Sequence, residues 1–217
     1  MTTTTTNIVP ARAAHADFIA WVQLAASRSH TDTSIWEVYL ERDEATALAF
    51  LKALNSTEQP HYGHISTFSV LEVDGTSVAA MCGYFDAELG MHALVPAVGI
   101  ASGAVGMTPE DVAAGSARIA PWRFCDPTHV PGAWIIEWVA TKPEFRRQGL
   151  VDRLLALTLD NGRAKGATVG EIGVLIGNDG AQRAYEKAGF KVVQELRHAE
   201  FEAAFHTPGM RLLRRDL

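Results

Sequence analysis

Cysteine is scarce in this chain, and the two that occur are not arranged to bind a metal. Cys82 and Cys125 belong to no Cys/His cluster with metal-ligand spacing. This argues against a disulfide framework and against a structural zinc site. Such scarcity is typical of the reducing cytosol, so we expect a cytoplasmic protein without a metal.

Long charge blocks and Gly/Ser runs are also missing. The formal net charge is −6 at pH 7, from 19 Lys and Arg against 25 Asp and Glu, so a surface that tracks nucleic-acid phosphates is not expected. The 217 residues are 47% hydrophobic, which suffices for a substantial core. We expect a single domain over residues 7–217 whose partners are small molecules or proteins.

Targeting and membrane segments are poorly represented. Residues 1–6 have no basic region and no apolar run, so we expect a disordered tail rather than a secretory signal. Residues 89–107 lack Asp, Glu, Lys and Arg, but they contain His92 and Pro96 and barely reach the roughly 20 residues of a membrane span. We expect a buried or lid-like helix there and no membrane partner.

Apolar periodicity predicts strands alternating with helices around one hairpin, which indicates an α/β protein with a mixed sheet. Asp74-Gly75 suits a two-residue hairpin turn. Thr108 and Pro109 mark the start of a helix that should end before Pro121. We predict helices over residues 13–26, 34–54 and 150–164, and strands over residues 67–73, 77–85, 133–141, 168–176, 191–196 and 210–213.

Residues 178–190, Asn-Asp-Gly-Ala-Gln-Arg-Ala-Tyr-Glu-Lys-Ala-Gly-Phe, predict a well-capped helix. Asn178 is suited to cap its first turn, and Gly189 can take the left-handed conformation that ends it, with Phe190 as the apolar contact. Tyr185, about two turns in, is then fixed in direction. It is either an active-site tyrosine or a core residue packed on the sheet.

A basic turn follows the apolar strand over residues 135–141. Lys-Pro-Glu-Phe leads into Arg146-Arg147-Gln148-Gly149-Leu150-Val151, where a helix begins. Exposed amide groups at a helix N-terminus can hold a pyrophosphate, and Gly149 lets a ligand approach the backbone. A solvated basic surface is the alternative.

In order and spacing, these segments resemble the GNAT superfamily of N-acetyltransferases. The specific match covers residues 135–193, and a weaker likeness extends over the whole chain. It implies a mixed, largely antiparallel twisted sheet of six or seven strands flanked by helices. It also implies splayed central parallel strands that form the coenzyme A cleft, and a helical insert after the third strand, at about residues 87–130.

The resemblance also implies residue roles. Val139 and Thr141 would pair by backbone with the pantetheine arm, Asn178 would hydrogen-bond that arm near the thioester, and Tyr185 would act beside the sulfur as general acid. The implied coenzyme-binding residues are Val139, Ala140, Thr141, Arg146, Arg147, Gln148, Gly149, Leu150, Val151, Asn178 and Tyr185.

Val151 departs from the family pattern, which usually has Gly or Ala there. A β-branched side chain either crowds the diphosphate or points into the core from the first helical turn. The ordinary helical pattern of Asp152, Arg153 and Leu154 favours the core.

Glu137 is the candidate general base, because it interrupts an apolar strand and, at alternate spacing from Val139 and Thr141, is expected on their side. Making a lysine-like amine neutral at pH 7 costs about 4.6 kcal/mol. An unperturbed Glu is too weak to do this directly, so a water relay is expected. The alternative is a structural carboxylate paired with an arginine.

The remaining candidates carry less weight. Aromatic residues either line an acceptor pocket or belong to the core, and two glutamates either attract a cationic amine or form a solvated acidic loop. The scattered histidines are expected to be structural, and Cys82 should be an inert core thiol. These residues are Trp36, Tyr84, Phe85 and Trp122, then Glu200 and Glu202, and then His61, His64, His92 and His198.

The resemblance implies an acetyl-CoA-dependent N-acetyltransferase with Glu137 and Tyr185 as catalytic residues. The acceptor would be a primary amine of a small molecule, an amino acid derivative or a protein, attacking directly in a ternary complex. Two alternatives stay open: a catalytically silent acyl-CoA-binding module, favoured by Val151, and a longer acyl donor, suggested by the apolar insert. A homodimer is conceivable from the apolar surface of that insert.

Overall fold

A seven-stranded sheet forms the centre of the protein. The computed structural model describes residues 5–217. The strands are β1 (Thr6–Pro10), β2 (Phe68–Val73), β3 (Thr76–Phe85), β4 (Trp134–Thr141), β5 (Val169–Leu175), β6 (Lys191–Arg197) and β7 (Gly209–Asp216). Their order is β1-β2-β3-β4-β5-β7-β6, and only β4 and β5 run parallel. The predicted mixed, largely antiparallel α/β sheet is therefore confirmed.

Nine α-helices flank the sheet within residues 5–217. They are α1 (Ala16–Arg28), α2 (Ile35–Leu40), α3 (Glu44–Asn55), α4 (Asp86–Leu89), α5 (Met91–Ala104), α6 (Pro109–Ile119), α7 (Leu150–Ala164), α8 (Asp179–Lys187) and α9 (Ala199–Phe205). The single helix predicted over residues 34–54 is two helices. Glu41 takes a left-handed φ of 51° after α2, and the Asp43 side chain then caps α3.

The Asp74-Gly75 hairpin forms as predicted. Asp74 and Gly75 have φ angles of 49° and 77°, and Val73 pairs with Thr76 across the two-residue turn. Positive φ at both central residues is the backbone that matches the twist of the flanking strands.

The predicted disordered tail is too long by one residue at least. Residues 1–4 lie outside the described part of the chain. The Thr5 N–H donates to Asp74 Oδ1 at 2.8 Å, and Thr6 begins β1, opposite Val73. Pairing with the edge of β2 holds this segment, which the polar sequence does not reveal.

The insert after β3 contains α4, α5, α6 and a 3₁₀ turn over Ala120–Phe124. Leu94, Ala97 and Ala101 of the uncharged helix α5 pack in a core shared with α3. No helix of residues 5–217 is both long and apolar enough to cross a membrane. Thr108 caps α6, which ends at Ile119, before Pro121 as predicted.

The central strands β4 and β5 separate after a short paired segment. They pair only at Trp134↔Gly170, Ile135↔Glu171 and Ile136↔Ile172. Helix α7 covers one face of the sheet next to this split, and α1 covers the other. The predicted splay of the parallel strands is therefore present, and it opens the sheet at its centre.

The C-terminal region is more regular than predicted. Glu200 and Glu202, expected in a loop, lie on α9, whose Phe201 and Phe205 are buried beside Cys125. Strand β7 extends to Asp216 because it pairs along β5 from Leu175 to Val169. These contacts connect segments far apart in sequence.

Candidate active site

Glu137 lies on the opposite face of the sheet from Val139, because β4 bulges at Trp138. Trp138 has a φ of 48°, and the register between β3 and β4 shifts there. Val139 packs on the α7 face, whereas Cys82, the cross-strand partner of Glu137, packs on the α1 face. The prediction that Glu137 shares one side with Val139 and Thr141 is wrong, since a bulge interrupts the period-two alternation.

Backbone beyond the bulge directs hydrogen-bonding groups into the gap between β4 and β5. The Lys142 N–H donates to the Val78 carbonyl on β3, with an N···O distance of 2.8 Å. Backbone groups alternate between the two edges of a strand. Those of Val139 and Thr141 are therefore directed away from β3, toward the gap, and those of Ala140 toward β3.

The turn between β4 and α7 presents amide groups at a helix N-terminus. Arg147 and Gly149 have φ angles of 62° and 73°. The Arg153 N–H bonds to the Gly149 carbonyl at 3.3 Å, so the preceding amides of the first turn have no partner within the helix. A Cβ on Gly149 would meet no atom within 4 Å. The arrangement can hold a negatively charged group such as a diphosphate.

Side chains of this turn stabilise its shape. Arg146 Nε donates to the Thr141 carbonyl at 3.2 Å, and Gln148 Nε2 donates to the Glu144 carbonyl at 3.3 Å. Leu150 is buried in the core under α7. The turn therefore keeps its backbone conformation through its own contacts.

Val151 packs against the core beneath α7. It contacts the buried cluster that contains Leu154 and Leu155. The side chain therefore occupies the core side of the first turn, in agreement with the helical pattern around it. Val151 therefore no longer favours a catalytically silent binding module.

Helix α8 has the caps that its sequence predicts. Asn178 Oδ1 accepts from the Ala181 N–H at 3.1 Å, and Asn178 Nδ2 donates to Ser29 Oγ at 2.6 Å. Gly189 takes a φ of 90°, and the Phe190 N–H returns to the Tyr185 carbonyl at 3.1 Å. One Nδ2 hydrogen of Asn178 is left for a ligand.

Tyr185 is 6% exposed and packs in the core on the α7 face. Burial raises the pKa of Tyr185 well above its usual value, because a phenolate would lose its hydration there. The phenol therefore stays protonated and is a weaker acid than an exposed tyrosine. Tyr185 and Glu137 lie on opposite faces of the sheet, with the β4/β5 gap between them.

Glu137 is partly buried in surroundings that oppose its ionisation. Burial raises its pKa to about 8, and the negative charges of Asp126 and Asp86 add to the effect. Tyr84, buried beside Glu137, has its pKa raised well above normal by burial and then by the Glu137 charge. None of the ion pairs formed within residues 5–217 includes Glu137, so the structural alternative of an arginine partner receives no support.

An aromatic wall lies beside Glu137. Tyr62 stacks on Tyr84 with ring centroids 4.9 Å apart, and on Trp138, also at 4.9 Å. Sequence reasoning missed Tyr62, Trp138, Asp86 and Asp126. Nothing in the sequence distinguishes these four residues from other aromatic or acidic residues, because long-range packing brings them to Glu137.

Most of the other aromatic and acidic candidates lie elsewhere. Trp36 belongs to the core shared by α2 and α3, and Phe85 packs on the α7 face. Trp122 packs on Phe201, but its side chain also hydrogen-bonds Asp126, whose charge acts on Glu137. The two candidate glutamates are exposed on α9 rather than in a loop; they are Glu200 and Glu202.

The histidines and Cys82 have structural surroundings. His61 is fully buried between the Leu54 carbonyl and the Gly63 N–H, and burial lowers its pKa to about 4. Burial likewise raises the pKa of Cys82 well above normal, as expected for an inert thiol. His198 stacks on Phe124.

Residues 12–190 match the acetyltransferase (GNAT) family. The chain belongs to this family. No curated protein sequence matches this GNAT protein, so the match defines the family without naming a substrate.

Solved structures share the fold of this GNAT protein at low sequence identity. A structure described as an acetyltransferase has a TM-score of 0.70 and 17% identity over 97% of this chain and 98% of the other. An N-acetyltransferase from Staphylococcus aureus Mu50 has a TM-score of 0.68 and 14% identity, covering 96% and 100%. The Salmonella typhimurium protein yncA, solved with its cofactor acetyl-CoA, has a TM-score of 0.53 and 17% identity, covering 98% and 94%.

Proposed function

We propose that this GNAT protein transfers an acetyl group from acetyl-CoA to a primary amine, by direct attack in a ternary complex. The observation that carries the proposal is the split between β4 and β5, which continues into an amide-lined turn at the start of α7. The family membership and a structural relative solved with acetyl-CoA support this choice of donor.

The residues around the split fit such a donor. Val139 and Thr141 direct backbone groups into the gap, where an extended pantetheine arm can pair with them. The Thr141 hydroxyl is buried without a hydrogen-bond partner among residues 5–217. The open space at Gly149 and the unpaired amides of residues 147–151 suit the diphosphate.

In this proposal Glu137 removes the proton from the incoming ammonium group. The mismatch between an amine pKa near 10.4 and a carboxyl group at 4.5 costs about 8 kcal/mol. With the pKa of Glu137 at about 8, the cost falls to about 3 kcal/mol. Once ionised, Glu137 can therefore accept the proton at a lower cost than an unperturbed Glu.

Tyr185 would supply a proton on the other side of the gap. The neutral amine forms a C–N bond to the acetyl carbon, the C–S bond breaks, and the leaving thiolate takes the phenolic proton. The acylated nitrogen then releases its second proton to solvent, from which the phenolate is reprotonated. Transfer from an unperturbed phenol to a thiolate is uphill by about 2 kcal/mol. The raised pKa of Tyr185 increases that cost, so its contribution depends on direct contact with the sulfur.

Release of the thiol tests the proposal. The purified protein, acetyl-CoA and a panel of primary amines are mixed, and free thiol is followed with a chromogenic disulfide. Amine-dependent release is expected. If acetyl-CoA binds in calorimetry but no amine in a broad panel releases thiol, a catalytically silent module is the better description.

A further inference from the structure

The acceptor side of the gap contains more negative charge than one proton transfer needs. Three carboxylates, those of Glu137, Asp126 and Asp86, interact electrostatically with one another. We propose that the acceptor carries a second positive charge, held by Asp86 and Asp126 while its reacting amine lies at Glu137. This inference rests on the proposed acetyl transfer and specifies its substrate class as diamines and related dications.

The protein supplies little compensating charge at this cluster. Both charges that act on the Glu137 carboxyl group are negative. Asp126 accepts a hydrogen bond from the Trp122 side chain, and the positive charge that acts on it is that of His129. Within residues 5–217, no ion pair involves Asp86 or Asp126. Carboxylates gathered without cations repel one another, so a positively charged ligand would be stabilised among them.

Tyr84 provides a second, independent indication of a ligand. Its side chain is only 4% exposed, and both Glu137 and Asp86 act on its hydroxyl. That hydroxyl takes part in no side-chain hydrogen bond between the described residues, yet it is not sealed from solvent. A buried phenol normally finds a partner, so an ammonium group or its bound water fits here.

The stacked rings suit an organic cation. Tyr84, Tyr62 and Trp138 form a continuous stack along the same face as Glu137. Aromatic faces attract ammonium groups and also pack against the methylene chain between them. No group of three or more His, Cys, Asp or Glu among residues 5–217 is close enough to hold a metal ion, which favours an extended cation over a compact one.

The loop that carries Asp126 is anchored from beneath. Glu171 on β5 is fully buried and accepts from His129 Nδ1 at 2.8 Å and from the Val130 N–H at 3.3 Å. Arg214 Nε donates to its other oxygen at 2.7 Å. This buried network stabilises the loop, so the position of Asp126 is built into the fold.

Asp86 is exposed, and the backbone beside it limits where its carboxylate lies. Its carboxylate lies against the backbone of Gly90, where a Cβ would come within 2.1 Å of Asp86 Oδ1. The Gly90 N–H also donates to the Asp86 carbonyl at 2.9 Å. Only glycine leaves room for the carboxylate in this position.

Matched amines test the proposal. The value of kcat/KM is measured for 1,4-diaminobutane and for 1-aminobutane, which differ in the second ammonium group. The wild-type protein is expected to prefer the diamine by about tenfold or more at low ionic strength, and less at high salt. Asp86→Asn with Asp126→Asn should bring the ratio near one. The exposed Glu110→Gln on α6 is the control and should leave the ratio unchanged.

The ratio separates this inference from the proposed function. Changes at Asp126 also alter the basicity of Glu137, but that effect applies to both amines and cancels in the ratio. If the wild-type protein acetylates both amines equally, the inference fails and the acetyltransferase stands. If neither amine releases thiol, the broad amine panel decides the acetyltransferase, and calorimetry with coenzyme A present decides the inference: it survives only if 1,4-diaminobutane binds more tightly than 1-aminobutane.

Discussion

Replacement of Glu137 by Gln is the most informative single change, because it removes the carboxylate proposed as the base while keeping the shape of the side chain. In the folded protein the pKa of Glu137 is raised to about 8 by burial and by Asp126 and Asp86. The side-chain amide that replaces the carboxylate cannot take a proton from an ammonium group. Loss of a positioned base lowers turnover by about 100-fold to 10,000-fold.

The pH dependence of kcat/KM gives the sharper signature. With Glu137 as base, the reactive state combines an ionised Glu137 with a protonated amine, so the profile rises through about pH 8 and falls near the amine pKa of about 10.4. Glu137→Gln can use only the neutral amine. Its kcat/KM should therefore rise steadily toward about pH 10.4, without a break near pH 8.

The same change should stabilise the fold at high pH. The folded protein keeps the Glu137 proton until about pH 8, whereas the unfolded chain loses it near 4.5. Stability therefore falls as pH rises through this window, by about 1.4 kcal/mol per pH unit at most. At pH 9, Glu137→Gln should unfold at a higher temperature than the wild type, with a free energy of unfolding larger by up to a few kcal/mol. At pH 4 the two proteins should unfold at similar temperatures.

Steady-state kinetics across pH 6–11 and thermal unfolding at pH 4 and 9 provide the measurements. If the kcat/KM profile of Glu137→Gln still breaks near pH 8, Glu137 is not the base. A variant less stable than the wild type at pH 9 would contradict the buried, unpaired environment deduced for the carboxylate.

Three further substitutions have defined outcomes. Tyr185→Phe should lower kcat by about 100-fold, the lower end of what a general acid contributes, with acetyl-CoA binding unchanged in calorimetry; unchanged turnover would exclude Tyr185 as the acid. Val151→Gly should not tighten acetyl-CoA binding, and thermal unfolding should show a loss of about 1–2 kcal/mol from poorer packing and helix propensity; tighter binding would restore the crowding interpretation. Gly75→Ala should cost about 1 kcal/mol in denaturant unfolding, because its φ of 77° disfavours a Cβ; no space limits this site, so a much larger loss would indicate another cause.

Local elements of this protein followed from local chemistry. The hairpin at Asp74-Gly75, the capped helix from Asn178 to Gly189 and the turn at Gly149 all depend on residues adjacent in sequence. Capping groups and glycines with positive φ act within a few residues, so their patterns are readable without the fold. The break between α2 and α3 was only partly readable from the sequence. Asp43 is a good N-cap residue, but the apolar pattern that continues through it predicted one longer helix.

The direction of Glu137 is the clearest case in which the sequence was insufficient. Simple alternation predicts that Glu137 and Val139 share a face, and the bulge at Trp138 reverses that relation. No residue near Trp138 indicates the bulge, because the bulge depends on the register between β3 and β4. A register is a property of two strands and cannot be seen in one.

By itself, the sequence determined the family, the class of fold and the local structure of the turn at Gly149 and of α8, because these depend on short segments whose residues act together locally. The tertiary structure alone decided the surroundings of Glu137. Four residues approach Glu137 from separate parts of the fold. Asp86 comes from the insert, Asp126 from a loop, Tyr62 from the connection before β2, and Trp138 from the bulge in β4. Asp86 and Asp126 stay exposed, and their charges act on Glu137 only because the fold brings the three carboxyl groups near one another.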